Sequence, residues 1–353
     1  MARRPRIMKA ATIRRKFGLV IGLLLPALAA IVMLHIAFGR TTLTMEEVAR
    51  ALFDLTDDNG QRHIVWNLRL PRVLVAIAAG AMLGLAGAIL QVVMRNPLIE
   101  PGLIGVSSGS VLFVVLTMLY MPDGLPNHAW LPLVALLGGV STVGVIYLLN
   151  RKGGNSSARL ALTGVVATSI LQSVTSLLLL RKQEGLASIL LWNFGSLNGR
   201  VWTQWNYVWP WALTLLALAM LLSRKASLLQ LGDATAAGLG LAVNRTRLLL
   251  LLIAAALTAA SVSVVGAIGF VGLIGPHIAA LLVGRNPLYL FPASALFSAV
   301  LLTAADWAGQ SVTLKLSLPG MAHHVTSLPV GAVTTLMGAP FFLYLLRKTL
   351  VKK

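Results

Sequence analysis

Between Arg72 and Arg95 the chain runs for 22 residues without a charge, "VLVAIAAGAMLGLAGAILQVVM", Val73 to Met94. At about 1.5 Å per residue, a helix of that length spans about 33 Å, enough to cross a hydrocarbon core of about 30 Å. Apolar stretches of roughly 20 residues recur along the chain. They lie near 17–39, 71–94, 104–121, 130–149, 160–180, 205–223, 246–266, 270–284, 288–305 and 329–346. In lipid only helices and closed barrels satisfy their own backbone polar groups. A barrel would show alternating segments of about 10 residues, whereas these runs are unbroken. The expected fold class is therefore an all-α polytopic membrane protein with about ten transmembrane helices. The eighth span is short and interrupted by glycine. The stretch 184–200 is also glycine-broken and reads as a re-entrant or short helix.

Composition supports this reading. Hydrophobic residues make up 57% of the 353 positions and charged residues 11%, against about 25% charged in soluble domains. The absence of cysteine excludes disulfides and thiolate metal sites. The net charge of +19 points to anionic lipid, not to nucleic acid. Phe17 to Phe38 is too long for a signal-peptide core and reads as an uncleaved first span. The whole chain, 1–353, is taken as one transmembrane domain with a basic tail at 1–16.

Basic residues set the expected orientation. With the N-terminus in the cytoplasm, 20 of the 29 basic residues face inward, and eight of the ten acidic ones face outward. An even number of spans returns "RKTLVKK" to the cytoplasm. Arg69, Arg72, Arg181, Lys182 and Arg200 are outward exceptions that need a reason.

Several functions are excluded by missing motifs. The chain contains no GxxxxGK[ST] and no HExxH, so it has neither a P-loop nor that zinc site. Asp306 reads as sitting only at the end of a span, so no intramembrane proton relay is expected. Energy for any transport would then come from a partner. The longest cytoplasmic loop, 223–247, contains "LQLGDATAAGLGL", Leu229 to Leu241. It reads as a short helix followed by glycine-rich turns, suited either to a plain connection or to docking in a partner's groove. "GLIG" occurs at 102–105 and again at 272–275, a faint sign of internal repetition.

Five motifs occur in order: "RLPR", "GLAGAILQVVMRNPLIEPGLIGVSSGS", "LQLGDATAAGLGL", "GAIGFVGLIGPHIA" and "SLPVGAVTTLMGAP". Together, over roughly residues 20–347, they resemble the FecCD-type permeases. These are membrane subunits of ATP-binding-cassette importers for ferric siderophores, haem and cobalamin. The resemblance implies the cobalamin/siderophore-type permease fold in a bacterial inner membrane. It implies a second permease subunit, identical or related, two ATPase subunits that carry ATP and Mg, and a periplasmic binding protein. The chain itself would be no enzyme and hold no cofactor or metal. The form "W…GSL.GR.W" within 190–202 favours a ferric siderophore, with haem or cobalamin as alternatives. An ion-coupled secondary transporter is the reading from a different class.

The resemblance also implies roles for particular residues. Arg69 and Arg72, offering planar forks to carboxylates, would receive the binding protein, with Lys315 assisting because Gln310 stands where some members carry a third arginine. The alternative for the two arginines is anchoring at the bilayer interface. Leu229, Leu231, Gly232, Asp233, Ala234, Ala237, Gly238, Leu239 and Gly240 would couple to the ATPase. Ser157 and Ala158 would line the cytoplasmic gate. Asn96, Pro97, Glu100, Pro101, Gly102 and Gly105 would form a loop at the cytoplasmic end of the pathway, with Pro97 and Pro101 stopping the helix. His277 is expected to be structural, and His323 and His324 to be polar surface.

Overall fold

The computed structural model describes residues 10–39, 41–53, 55, 58–120, 131–150, 157–180, 193–315 and 328–350. Among them there is helix and no strand. The long helices are α1 (Ala10–Ala37), α4 (Leu70–Met94), α5 (Val106–Tyr120), α6 (Leu131–Asn150), α7 (Ser157–Leu179), α8 (Trp202–Leu221), α11 (Val243–Val265), α12 (Val271–Val283), α13 (Pro287–Lys315) and α14 (Val330–Leu350). Each coincides with one of the ten expected stretches. Seven are long and apolar enough to cross a bilayer, or eight counting α8 with the helix it bends into, while α5 and α12 are shorter. Short helices complete the order: α2 (Met45–Leu52), α3 (Asn59–His63), α9 (Ser223–Leu229) and α10 (Asp233–Gly238).

The centre of the subunit is α4, packed against α8, α11, α12 and α13. It is apolar all round and therefore buried all round. Its small residues permit this. A Cβ added to Gly84 would lie 2.1 Å from Ser298 Oγ on α13, and one added to Gly87 would lie 1.8 Å from the Gly272 carbonyl oxygen on α12. Close backbone approach through small residues is how helices associate without a hydrophobic drive in lipid. Gly87→Ala is thus expected to push α12 away from α4. Overpacking costs about 1–3 kcal/mol, and more here because the obstacle is backbone. Melting of the purified variant in detergent checks this, and an unchanged midpoint would refute the close contact.

The region before α4 holds structure that the sequence reading did not foresee. Thr44 and Glu47 form a reciprocal capping box on α2, the arrangement that "TMEE" signals. Val48 and Ala51 of α2 then bury against Ile36 of α1, Val65 and Val73. Ile64–Arg69 forms π-helical turns that lead into α4. At the other end, α1 starts at Ala10, within the stretch read as a tail.

Candidate functional site: the two ends of the bundle

The two arginines of "RLPR" have internal partners. Arg69 Nη1 donates to the carbonyls of Ile36 and Ala37, and its Nη2 donates to the carbonyl and hydroxyl of Thr41. The last carbonyls of a helix have no intrahelical donors, so Arg69 caps the end of α1. Arg72 grips Asp306 with a two-pronged bond, Nε to Oδ2 at 2.8 Å and Nη2 to Oδ1 at 2.7 Å. His35 Nε2 lies 2.7 Å from the same Oδ2, and Gln310 donates its amide to it at 3.2 Å. The Arg72 side chain is 14% exposed and that of Asp306 is 1% exposed.

Arg69 and Arg72, expected to reach outward to a partner, therefore hold α1, α4 and α13 together. Asp306 is likewise not at a helix end. Helix α13 continues to Lys315, so Asp306 lies inside it and is fully enclosed. Such a carboxylate within a span is tolerated because it is paired and hydrogen-bonded. In the turns before α4, Trp66 donates to the Ala51 carbonyl at 2.9 Å, and Trp202 donates to the Trp66 carbonyl at 2.8 Å. The two indoles stack at 6.3 Å.

At the opposite end the chain turns through the residues of "LQLGDATAAGLGL". The expected short helix is there as α10: α9 precedes the stretch and ends at Leu229, Gly232 turns the chain with φ 107°, and Asp233 opens α10. Asp233 is the organiser. Both its oxygens accept from Arg247 Nη2, at 2.9 and 2.8 Å, and Oδ1 also accepts from Arg95 at 2.6 Å. Arg95 donates further to the Leu229 carbonyl at 2.7 Å. Hydrogen bonding from Arg247 holds the Asp233 carboxyl below its ordinary pKa against a desolvation penalty, with Arg95 adding to the effect. The pKa is lowered, so this contribution is present at neutral pH and fades only as pH falls below the ordinary carboxylate range.

Helix α10 is thereby fastened to the ends of α4 and α11. Ala236 is buried beneath it, while Ala234, Thr235, Ala237, Gly238, Leu239 and Gly240 are exposed, as is Leu231 before it. The result is a small, nearly uncharged platform. Its face is made of Ala, Thr and Gly flanked by the exposed Leu231 and Leu239, so a partner's groove can close on backbone and two apolar side chains.

The loop after α4 departs from expectation. The helix stops before Pro97 because Arg95 adopts the left-handed conformation, φ 51°, with its N–H returned to the Gln91 and Val92 carbonyls. Asn96 Oδ1 accepts from the Leu98 N–H at 3.0 Å. Pro101 does not stop a helix; it opens a 3₁₀ turn, Pro101–Ile104, closed by Gly105 at φ 76°. Pro101 packs on Gly272. Glu100 accepts from the Phe270 N–H at 2.8 Å. Phe270 is left-handed, φ 66°, which costs about 1–2 kcal/mol outside glycine. Glu100 and Pro101 therefore lie against the start of α12, while the Gly102 carbonyl accepts from Thr168 Oγ1 of α7 at 3.4 Å. His277 meets Phe341 edge-on at 5.7 Å.

The side chains of Ser157, Ala158 and Lys315, and all of His323 and His324, lie outside the described residues. No group of metal-ligating side chains occurs among the described residues.

The FecCD transport family matches residues 27–348. The chain belongs to that family. It is 36% identical over 341 residues to an Fe(3+)-citrate import system permease protein of Bacillus subtilis, covering 96% of this chain and 98% of that one. It is 35% identical to the hemin transport system permease protein of Yersinia pestis, over 93% of this chain and 95% of that one. The solved structure of a metal-chelate type ABC transporter in an inward-facing conformation superposes with a TM-score of 0.79 at 28% identity, covering 94% of this chain and 99% of that one. As a FecCD protein the chain is a multi-pass membrane permease. Asp306 and His35 did not stand out in its sequence as a site. The available signal was an Asp four residues from Gln310 inside a longer apolar helix, which becomes legible only when α13 is read past residue 305.

Proposed function

We propose that this chain is the membrane subunit of an importer that carries a ferric siderophore or related ferric chelate into the cytoplasm of a bacterium, across the inner membrane. ATP would be hydrolysed by two separate ATPase subunits, and substrate would be delivered by a periplasmic binding protein. The observation that carries the reading is the α10 platform. It is exposed, built of small residues flanked by Leu231 and Leu239, and tied through Asp233 to Arg95 and Arg247. Force applied there passes into α4 and α11, the most buried helices of the bundle. The ferric citrate relative supports an iron chelate as cargo. The span windows of α7 and α14 are only 11% and 28% buried, which suits a second permease subunit and lipid. An ion-driven carrier is disfavoured because Asp306 is already bound by Arg72.

The deciding experiment is radio-iron uptake by proteoliposomes that contain this chain with its ATPase and binding protein. Uptake should require ATP on the ATPase side and survive ionophores that collapse proton and sodium gradients. Uptake by the chain alone, abolished by ionophores, would overturn the reading.

The charge asymmetry supports a topology with both termini and α10 in the cytoplasm. The chain has no cysteine, so single cysteines report cleanly. Leu55→Cys should react from outside with an impermeant maleimide in sealed cells, and Thr235→Cys should not. The reverse pattern would invert the topology.

A further inference from the structure

Phe270 enters α12 in the left-handed conformation, φ 66°. A residue with a Cβ and a ring stays there only where its surroundings impose it, and such positions collect at functional sites. Two contacts impose it here. The Phe270 N–H donates to Glu100 Oε2 at 2.8 Å, across 170 residues of chain. The ring lies against the backbone of α14 at Gly338, where an added Cβ would collide with Phe270 Cβ, Cγ and Cδ1. Glu100 also suits its place electrostatically, because the first N–H groups of a helix lack partners and favour an anion.

The segment that carries Glu100 is fixed on both sides. Gln91 of α4 donates to the Ile99 carbonyl at 3.4 Å and to the Gly272 carbonyl at 3.5 Å. Pro101 packs on Gly272. Five residues before Glu100, Arg95 grips Asp233 of the α10 platform. On the far side of Phe270, α14 is lightly held, with 28% of its span window buried. It meets α12 at Gly338 and again where Phe341 lies edge-on to His277. Coupling between distant sites needs an element with two arrangements that both sites bias. Phe270 is such an element. It is left-handed while Glu100 holds its N–H, and the right-handed region is the one an L-residue prefers once released.

We propose that Glu100 is a positioning residue for transport: by holding Phe270 left-handed it latches α14 to α12, and through Arg95 it passes movement of the α10 platform to α14. The second half rests on the importer reading, and the latch itself does not.

The test measures the distance between α12 and α14. The chain has no cysteine, and Leu281 and Leu336 are 71% and 76% exposed on those two helices. Spin labels at Leu281→Cys and Leu336→Cys, in full chains diluted with unlabelled chain in nanodiscs, should give one narrow distance. Glu100→Ala should broaden it and shift it by about 2 Å, the scale of helix movements in switches. Glu100→Gln keeps an oxygen acceptor and should restore the narrow distance, which loss of packing volume alone would not predict. Phe270→Ala should act like Glu100→Ala, and the double change should add nothing, because both break one link. Should Glu100→Ala not fold, Phe270→Gly accepts φ 66° without strain yet lacks the ring, and it too should free α14. In the assembled importer, ATP should change the distance in the otherwise native chain, and Glu100→Ala should lose that change. An unshifted distance in Glu100→Ala and Phe270→Gly, or a full ATP-driven change in Glu100→Ala, overturns the proposal. No ATP-driven change without the Glu100 substitution counts against the importer reading instead, and the distance in the isolated chain still decides the latch.

Discussion

Replacing Asp306 with alanine should destabilise the isolated chain by about 3–5 kcal/mol, because it strands a buried arginine without its counter-charge. The Arg72 guanidinium makes two bonds to Asp306, at 2.8 and 2.7 Å, and is mostly enclosed. His35 and Gln310 lose the same acceptor. Removing both charges together should hurt less. Arg72→Met with Asp306→Leu substitutes apolar volume for the pair, an exchange that is often neutral or stabilising. Melting of the purified chain, followed by tryptophan fluorescence with no partner present, reads both. If Asp306→Ala melts like wild type, the pair does not hold α4 to α13. This result bears on how docking experiments are interpreted. A permease with Arg72→Glu that no longer receives a binding protein shows lost docking only if its melting is unchanged. The structure expects that melting to fall.

The second large effect lies at the other end. Ala237→Trp with Gly238→Trp should abolish substrate-stimulated ATP hydrolysis in the assembled importer while leaving basal hydrolysis and membrane insertion intact. Both positions are exposed on α10, and nothing lies within 4 Å of a Cβ built on Gly238. The chain therefore folds around the added rings, and only a partner seated on that face meets them. Asp233→Ala should act differently. It releases Arg95 and Arg247 from α10, so the partner still binds but its movement is not passed to α4 and α11. ATPase association measured beside stimulation separates the two. Normal stimulation in the double tryptophan variant would exclude α10 as the contact.

The glycine-rich "LQLGDATAAGLGL" foretold a short exposed helix because α10 is built from neighbouring residues and a local turn at Gly232. It did not foretell the clamp on Asp233, whose partners lie 138 and 14 residues away. The outer arginines divide in the same manner. Their place at the mouth of a span was plain from the charge pattern. Their direction was not, because Ile36, Thr41 and Asp306 become their neighbours only after α1 and α13 have packed on α4.

What the sequence by itself determined is the set of ten helices. Each span must satisfy its own backbone in lipid, so the length and hydropathy of a local stretch are enough. What it could not determine is which faces meet protein. The windows of α1 and of the span through α4 have nearly equal mean hydropathy, 2.7 and 2.5, yet 0% of the first is buried and 83% of the second. Lipid and protein interior are equally apolar, so hydropathy cannot tell them apart. The glycines of α4 carry the missing distinction, and they acquire it only where Ser298 and Gly272 come to lie against them. The tertiary structure decided that, along with the inward turn of Arg69 and Arg72, because both depend on contacts between residues far apart in the chain.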